Sequence, residues 1–261
     1  MTSASDIEAP VLHAVETGDP AEAPIAFLHG FAGNHTTYDA VKACLGDRHS
    51  LAYDLPGHGA SRAWPEVGHA GVAAKAVLAD LTRRNCGPVH LVGHSMGGAV
   101  ATLIAMKAPE RLASLTLLAP GGYGTEINHR LLRRYAVARE AEELTLLMEQ
   151  FFGWRSPLPD GLIDKMVEER RDPEATASFA RIVEKILDGD VQKVLPRGAL
   201  GALPFPVKVI WGTQDRVLPT RQAHHLPGRV AVHVFDEVGH MPQLEIPGDV
   251  AALIAENAGG R

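Results

Sequence analysis

Cysteine is scarce: the 261 residues hold only Cys44 and Cys86. They lie far apart and in no metal-type spacing, so neither a disulfide framework nor a thiolate metal site is expected to organise the chain. Both read as buried thiols in a reducing cytosol. A basic surplus is missing too: 25 Lys and Arg face 31 Asp and Glu, for a formal charge of -6. Without that surplus to neutralise phosphates, a nucleic-acid partner is excluded, and an anionic membrane surface is a poor match. Apolar stretches such as Leu115–Ala119 are far too short to cross a bilayer. Residues 1–10 are polar and acidic, with no basic or apolar region of a secretory signal. These absences predict a cytoplasmic protein that meets a small molecule, and they leave the oligomeric state open. No internal repeat or low-complexity tract is present.

What the chain does have is ordinary globular composition, 46% hydrophobic and 21% charged, arranged as an alternation. Short aliphatic runs read as strands at Pro24–His29, Ser50–Leu55, Val89–Gly93, Leu115–Ala119, Val207–Trp211 and Val230–Phe235. Most are continuously apolar, as strands buried on both faces of a parallel sheet are. Val11–Glu16 alternates and fits an antiparallel edge strand. Helical patterns lie between: Ala70–Arg84 carries Val72, Ala76, Val77 and Leu81 at helical spacing, and Gly97–Lys107 stops before Pro109. Asp249–Ala255 reads as a short terminal helix. The expected fold is α/β: a mostly parallel open sheet with helices on both faces and right-handed crossovers.

The alternation breaks between Gly121 and Pro204, where no strand is predicted. Amphipathic helices fill the gap. One starts at the N-cap Asp172 with Pro173 in its first turn and carries Phe179, Ile182, Val183, Ile186 and Leu187 as a stripe. Another contains Leu144, Leu147, Met148, Phe151 and Phe152. Charges such as Arg133, Arg134, Glu142 and Glu143 read as a solvated face. This divides the chain into a core, 1–120 with 205–261, and a helical insertion, 121–204.

Chemistry concentrates at Val89-His90-Leu91-Val92-Gly93-His94-Ser95-Met96-Gly97-Gly98. A buried-type strand runs directly into a helix with Ser95 at the junction. So sharp a turn strains the central residue and needs small neighbours, here Gly93 and Gly97. It lifts the hydroxyl above the sheet edge and sets it at a helix N-terminus, where negative charge is favoured. The five-residue pattern alone is weak; its strand-to-helix context makes Ser95 a candidate nucleophile. A serine needs a base, and the base an orienter. His240 follows the last strand in a loop bounded by Gly239 and Pro242, past the carboxyl edge where catalytic groups gather in open α/β sheets. Asp215 lies just beyond the strand Val207–Trp211. The rival position after the fourth strand, Ala119-Pro120-Gly121-Gly122, offers no carboxylate. Asp236 and Glu237 read as an exposed turn.

His240 is therefore expected to take the Ser95 proton and Asp215 to fix the imidazole, so turnover should rise with pH as His240 deprotonates. Two N–H donors should receive the oxyanion: Met96, after the nucleophile, and Phe31, in the loop His29-Gly30-Phe31-Ala32-Gly33. Their side chains should line an apolar pocket. His29 and His94 read as structural hydrogen-bonders, and the His224-His225 pair as surface rather than metal site. No metal or organic cofactor is expected.

Five tracts together resemble the α/β-hydrolase superfamily over nearly the whole chain: His29-Gly30-Phe31, Asp54-Leu55-Pro56-Gly57-His58-Gly59-Ala60-Ser61, Gly93–Gly98, Trp211-Gly212-Thr213-Gln214-Asp215 and Gly239-His240. The resemblance implies that 121–204 is a cap over the active site and that the Asp54–Ser61 loop is structural. Leu118–Gly124, Glu126-Ile127-Asn128 and Gly239–Gln243 are similar to the hydrolase-like domain of acetoin dehydrogenase acyltransferase subunits. Those subunits also carry a lipoyl domain, for which these residues leave no room beside the hydrolase fold. The chain is also similar to carboxylesterases, enol-lactonases and carbon–carbon bond hydrolases. The last often carry Trp after the catalytic His, where Met241 stands here. Epoxide hydrolases and haloalkane dehalogenases resemble the fold but use an Asp nucleophile. The expected activity is a serine esterase or lactonase acting on a small acyl substrate, with acyl transfer, carbon–carbon hydrolysis or ligand reception as the alternatives.

Overall fold

The computed structural model describes residues 10–259. Nine strands and nine α-helices follow in chain order. The first strands are β1 (Ala14–Thr17), β2 (Ile25–Leu28) and β3 (Ser50–Tyr53), with helix α1 (Asp39–Leu45) between the last two. Then come α2 (Ala70–Arg83), β4 (Val89–His94), α3 (Met96–Lys107) and β5 (Leu112–Leu118). Four helices follow, α4 (His129–Val137), α5 (Ala141–Met148), α6 (Leu162–Arg170) and α7 (Pro173–Ile186), and then a two-strand hairpin of β6 (Leu187–Asp188) and β7 (Val191–Gln192). The chain ends with β8 (Val207–Gly212), β9 (Ala231–Phe235), α8 (Pro242–Glu245) and α9 (Pro247–Asn257).

Seven strands form one sheet in the order β1-β3-β2-β4-β5-β8-β9. Only β1 is antiparallel, paired with β3 as the alternating edge pattern predicts; all other pairs are parallel. β2, β3 and β8 are buried at every residue. That is why they read as largely apolar runs, interrupted in β8 by Lys208: helices cover both faces. Ile25, Phe27, Val92 and Ile210 pack towards α1 and α9 on one face, while Leu28, Leu91, Leu115 and Val209 join the larger core under α2 and α3.

The structure departs from the sequence expectations in four places. The 121–204 segment does contain strands, the short β6–β7 hairpin, because Gly189 at φ +64° turns the chain straight after α7. Leu187 accordingly belongs to β6 and not to the α7 stripe. α5 stops at Met148, so Phe151 and Phe152 lie beyond it. Neither cysteine is buried: Cys44 is exposed on α1, which buries only Val41, and Cys86 is half-buried after α2. α1, α4 and α6 add three helices that the periodicity alone did not mark. No helix among the described residues is long and apolar enough to cross a membrane.

Two buried histidines tie the loops at the carboxyl edge of β2 and β3. His29 donates from Nδ1 to the Gly30 carbonyl at 2.7 Å and accepts the Leu55 N–H on Nε2 at 3.0 Å. His58 accepts the Ala32 N–H on Nε2 at 3.1 Å and donates from Nδ1 to the Pro56 carbonyl at 3.2 Å. Each ring uses one nitrogen as donor and one as acceptor, a pattern only neutral imidazole supplies. Burial pushes His29 down to about 4. Burial, aided by the neighbouring His29, pushes His58 down to about 3.

These imidazoles stay neutral in the fold but protonate in the unfolded chain near pH 6.5. Their contribution is full above that pH and is lost as pH falls towards 4 and then 3. His58→Gln should therefore cost stability at pH 7 but flatten the decline between pH 6.5 and 4. Urea unfolding of both proteins at pH 7 and 4.5 checks this; the gap between them should narrow by more than about 1 kcal/mol. Parallel pH profiles would contradict it.

Candidate active site

The turn between β4 and α3 carries the strain the sequence predicts. Ser95 sits at φ 50°, ψ -114°, a conformation that side-chain-bearing residues rarely adopt. Three backbone bonds clamp it there. Its N–H donates to the Leu118 carbonyl at 2.9 Å, and its carbonyl accepts Gly121 N–H at 2.8 Å and Ala99 N–H at 3.1 Å. Close packing does the rest. A Cβ at Gly97 would stand 2.3 Å from the Leu28 carbonyl oxygen, and one at Gly93 would stand 2.4 Å from that of Gly97. Only glycines let α3 enter this close against β2 and β4.

Asp215 and His240, 25 residues apart, meet in the interior. His240 donates from Nδ1 to Asp215 Oδ2 at 2.7 Å, with both side chains 2% exposed or less. The carboxylate receives three more donors. Val217 and Leu218 N–H reach Oδ1 at 2.8 Å each, and the buried Trp211 indole reaches Oδ2 at 3.0 Å. A buried charge so fully hydrogen-bonded fixes both its own orientation and the ring bonded to it. His240 and Ser95 both face one cavity of about 500 Å³.

The loop carrying His240 is held from three sides. Its N–H donates to the Phe151 carbonyl at 2.6 Å, and its carbonyl accepts His94 Nε2–H at 2.8 Å. The Glu245 carboxylate accepts Gly239 N–H at 3.0 Å, Met241 N–H at 3.1 Å and Gly153 N–H at 2.8 Å. His94 is buried beside the His240 ring, centroids 4.9 Å apart. Burial first, and then the His240 charge, hold His94 well below the usual imidazole range. It is a neutral structural donor, as its place next to Ser95 suggested. His224 and His225 are exposed, as are Asp236 and Glu237.

Phe31 and Met96 both line the cavity. Met96 opens α3, so its N–H is one of the four without an intrahelical acceptor. Among the described residues, neither Phe31 nor Met96 N–H donates to a protein acceptor. The Phe31 ring packs edge-on against Tyr135 and Phe179, and Tyr135 packs in turn against Phe151 beside His240. Leu132, Met148, Leu162 and Met166 from the helical insertion form the outer wall.

Several site residues escaped the sequence reading. Glu245 lies on the Pro-led turn after His240, and a carboxylate five residues from the base was the only signal for it. Arg170 is 1% exposed, its guanidinium 4.8 Å from the Tyr135 ring centre and donating to the Tyr135 carbonyl. Its neighbour Glu169 lines the cavity, and burial pushes its carboxyl up, against the pull of Arg170 and Arg62. A charged pair on a helix reads as solvated in sequence, and nothing there marks it as interior.

Comparison with known proteins fits this geometry. Residues 25–253 match the alpha/beta hydrolase family. The chain is 33% identical over 231 residues to the dihydrolipoyllysine-residue acetyltransferase component of the acetoin cleaving system of Pseudomonas putida, covering 88% of this chain and 62% of that protein. It thus spans about three fifths of the length of that curated relative. It is 27% identical to a monoacylglycerol lipase of Xenopus laevis, covering 92% of this chain and 76% of the lipase. In fold it is similar to the 2-hydroxy-6-oxo-6-phenylhexa-2,4-dienoate hydrolase of Rhodococcus sp. strain RHA1, with a TM-score of 0.81, 24% identity and 94% of each chain covered. From the strand order, the Ser95 turn and a family match running from β2 into α9, the chain belongs to the alpha/beta hydrolase family.

Proposed function

We propose that the protein is a serine hydrolase that cleaves small carboxylic esters or lactones through an acyl-enzyme on Ser95. The carrying observation is the buried His240–Asp215 pair at 2.7 Å, opening through His240 on the cavity that Ser95 also lines. On this reading His240 takes the hydroxyl proton as Ser95 Oγ attacks the carbonyl carbon. Asp215 holds the tautomer and stabilises the imidazolium. Phe31 and Met96 N–H receive the oxyanion. His240 returns the proton to the departing alkoxide, and water then attacks the acyl-enzyme with His240 again as base. The reaction needs no metal or organic cofactor. Residues 121–204 serve as the cap, and their apolar wall suits an acyl chain. The lipase among the relatives supports hydrolysis of an ester.

A second reading is acyl transfer, in which a thiol takes the place of water. The 33% identity to an acetyltransferase component favours it. The two readings part on the fate of the acyl group: release to water, or transfer to dihydrolipoamide at a rate that outpaces hydrolysis.

A short-chain p-nitrophenyl ester assay tests the nucleophile. Ser95→Ala should lower kcat by on the order of 10³-fold or more, and Asp215→Asn by about 10²- to 10⁴-fold. Equal turnover by wild type and Ser95→Ala would remove the assignment. Glu245→Ala should free the Gly239, Met241 and Gly153 N–H groups and loosen the base. It should lower kcat about tenfold or more with KM little changed, and reduce stability by about 1–3 kcal/mol. Loss of stability with kcat intact would make Glu245 a purely structural clasp.

A further inference from the structure

Outside the lining of the cavity, three ligand-type side chains from distant parts of the sequence converge at the β1–β3 edge. His13 Nδ1 lies 2.8 Å from Asp54 Oδ2, and His35 Nδ1 lies 2.9 Å from Asp54 Oδ1. The ligand atoms of all three residues fall within 4.8 Å of one another. We propose that His13, His35 and Asp54 form a binding site for one divalent transition-metal ion of the zinc type, separate from the reaction centre.

The scaffold around these groups is fixed. The backbone at His13 is pinned on both sides: its N–H donates to Ser61 Oγ at 2.9 Å and its carbonyl accepts Asp54 N–H at 2.9 Å. His35 opens a short 3-10 helix capped by Asn34, and its own N–H donates to Asp54 Oδ1 at 2.7 Å. Asp54 is fully buried and also accepts Ala60 N–H at 2.9 Å. Gly59, at φ +47°, lets the chain pass over the carboxylate, since a Cβ there would stand 2.5 Å from it. The imidazole side chains are 39% and 28% exposed, so turning them aside opens the buried carboxylate to an ion from solvent.

The donor set selects the ion. Two imidazole nitrogens with a carboxylate suit zinc, nickel or cobalt, whereas calcium and magnesium prefer all-oxygen shells. Tetrahedral zinc with bonds of about 2.0–2.1 Å sets two ligands about 3.4 Å apart. Closing from 4.8 Å needs about 1.4 Å, which rotation of two partly exposed rings shares between them. Each Nδ1–H bond to Asp54 is exchanged for an Nδ1–metal bond. A neutral ring then carries its proton on Nε2, and a protonated ring releases one proton to solvent. The His35 and Ala60 N–H groups stay on the carboxylate and orient it, as outer donors do in metal sites. Water completes the shell on the exposed side.

Calorimetric titration of the chelator-treated full chain with ZnCl2 tests the site, alongside His13→Gln/His35→Gln and, as a control for adventitious chelation, His224→Gln/His225→Gln. Circular dichroism confirms that each variant is folded. Wild type and the control pair should bind one Zn2+ per chain and gain thermal stability, while the His13/His35 variant should lose at least tenfold in affinity and most of the thermal shift. Equal affinity in wild type and that variant, or no binding by wild type at millimolar Zn2+, overturns the proposal. Both readouts are independent of ester turnover.

Discussion

His240 is tied through both halves of its peptide, its N–H to Phe151 and its carbonyl to His94, while Asp215 holds its ring and Glu245 the residues on either side. The partners come from four separate stretches: the strand-to-helix turn, the helical insertion, the loop after β8 and helix α8. Only α8 is local to the loop that carries the imidazole; the other three are distant in sequence. His240 is thus placed by the tertiary fold as a whole, through groups of the sheet, the insertion and α8 together. The proton transfer proposed for Ser95 depends on a ring held in fixed orientation and in hydrogen-bond reach.

Imidazoles of the same kind take different parts because their surroundings differ. His29, His58 and His94 are buried among backbone donors and acceptors, with no carboxylate bonded to them, and burial holds all three below the ordinary imidazole range. They act as neutral struts between loops. His240 is equally buried but bonded to the Asp215 carboxyl group, which receives three further donors. In the proposed reaction, an imidazolium formed there would have a partner. Surroundings, and not residue type, set the proposed base apart from the struts.

The parallel sheet was legible because strands buried on both faces are mostly apolar, and β2, β4 and β8 show this despite His90 and Lys208. The Ser95 turn was legible because backbone strain admits few neighbours, so Gly93 and Gly97 mark it. Asp215 and His240 were found by their place after strand ends, which chain order supplies. What stayed hidden depends on contacts between distant segments. The Glu245 clasp, the interior Arg170 and the convergence of His13, His35 and Asp54 leave no periodic trace. α1 was missed because only Val41 is buried in its seven residues, too few for a stripe. The hairpin β6–β7 was missed because two-residue strands fall below any alternation.

The helical insertion is bound to the core on two sides, and this limits how specificity can change. Near His240, Phe151 and Gly153 give their backbone groups to His240 and Glu245. On the other side Ser178 donates to the Gly57 carbonyl at 2.9 Å, and Arg62 pairs with Asp172 at 2.6 Å. Lifting the insertion as one rigid body breaks both sets, and each buried group left without a partner costs about 1–3 kcal/mol. The same aromatic contacts that shape the cavity, Phe31 against Tyr135 and Phe179, also seal insertion to core. A substitution that enlarges the cavity at Tyr135 removes packing against Phe151, whose carbonyl holds the His240 N–H. In this protein a wider pocket and a well-placed His240 therefore pull against each other, and specificity is changed at least cost at wall positions such as Leu162 and Met166, which line the cavity without joining the His240 clasp.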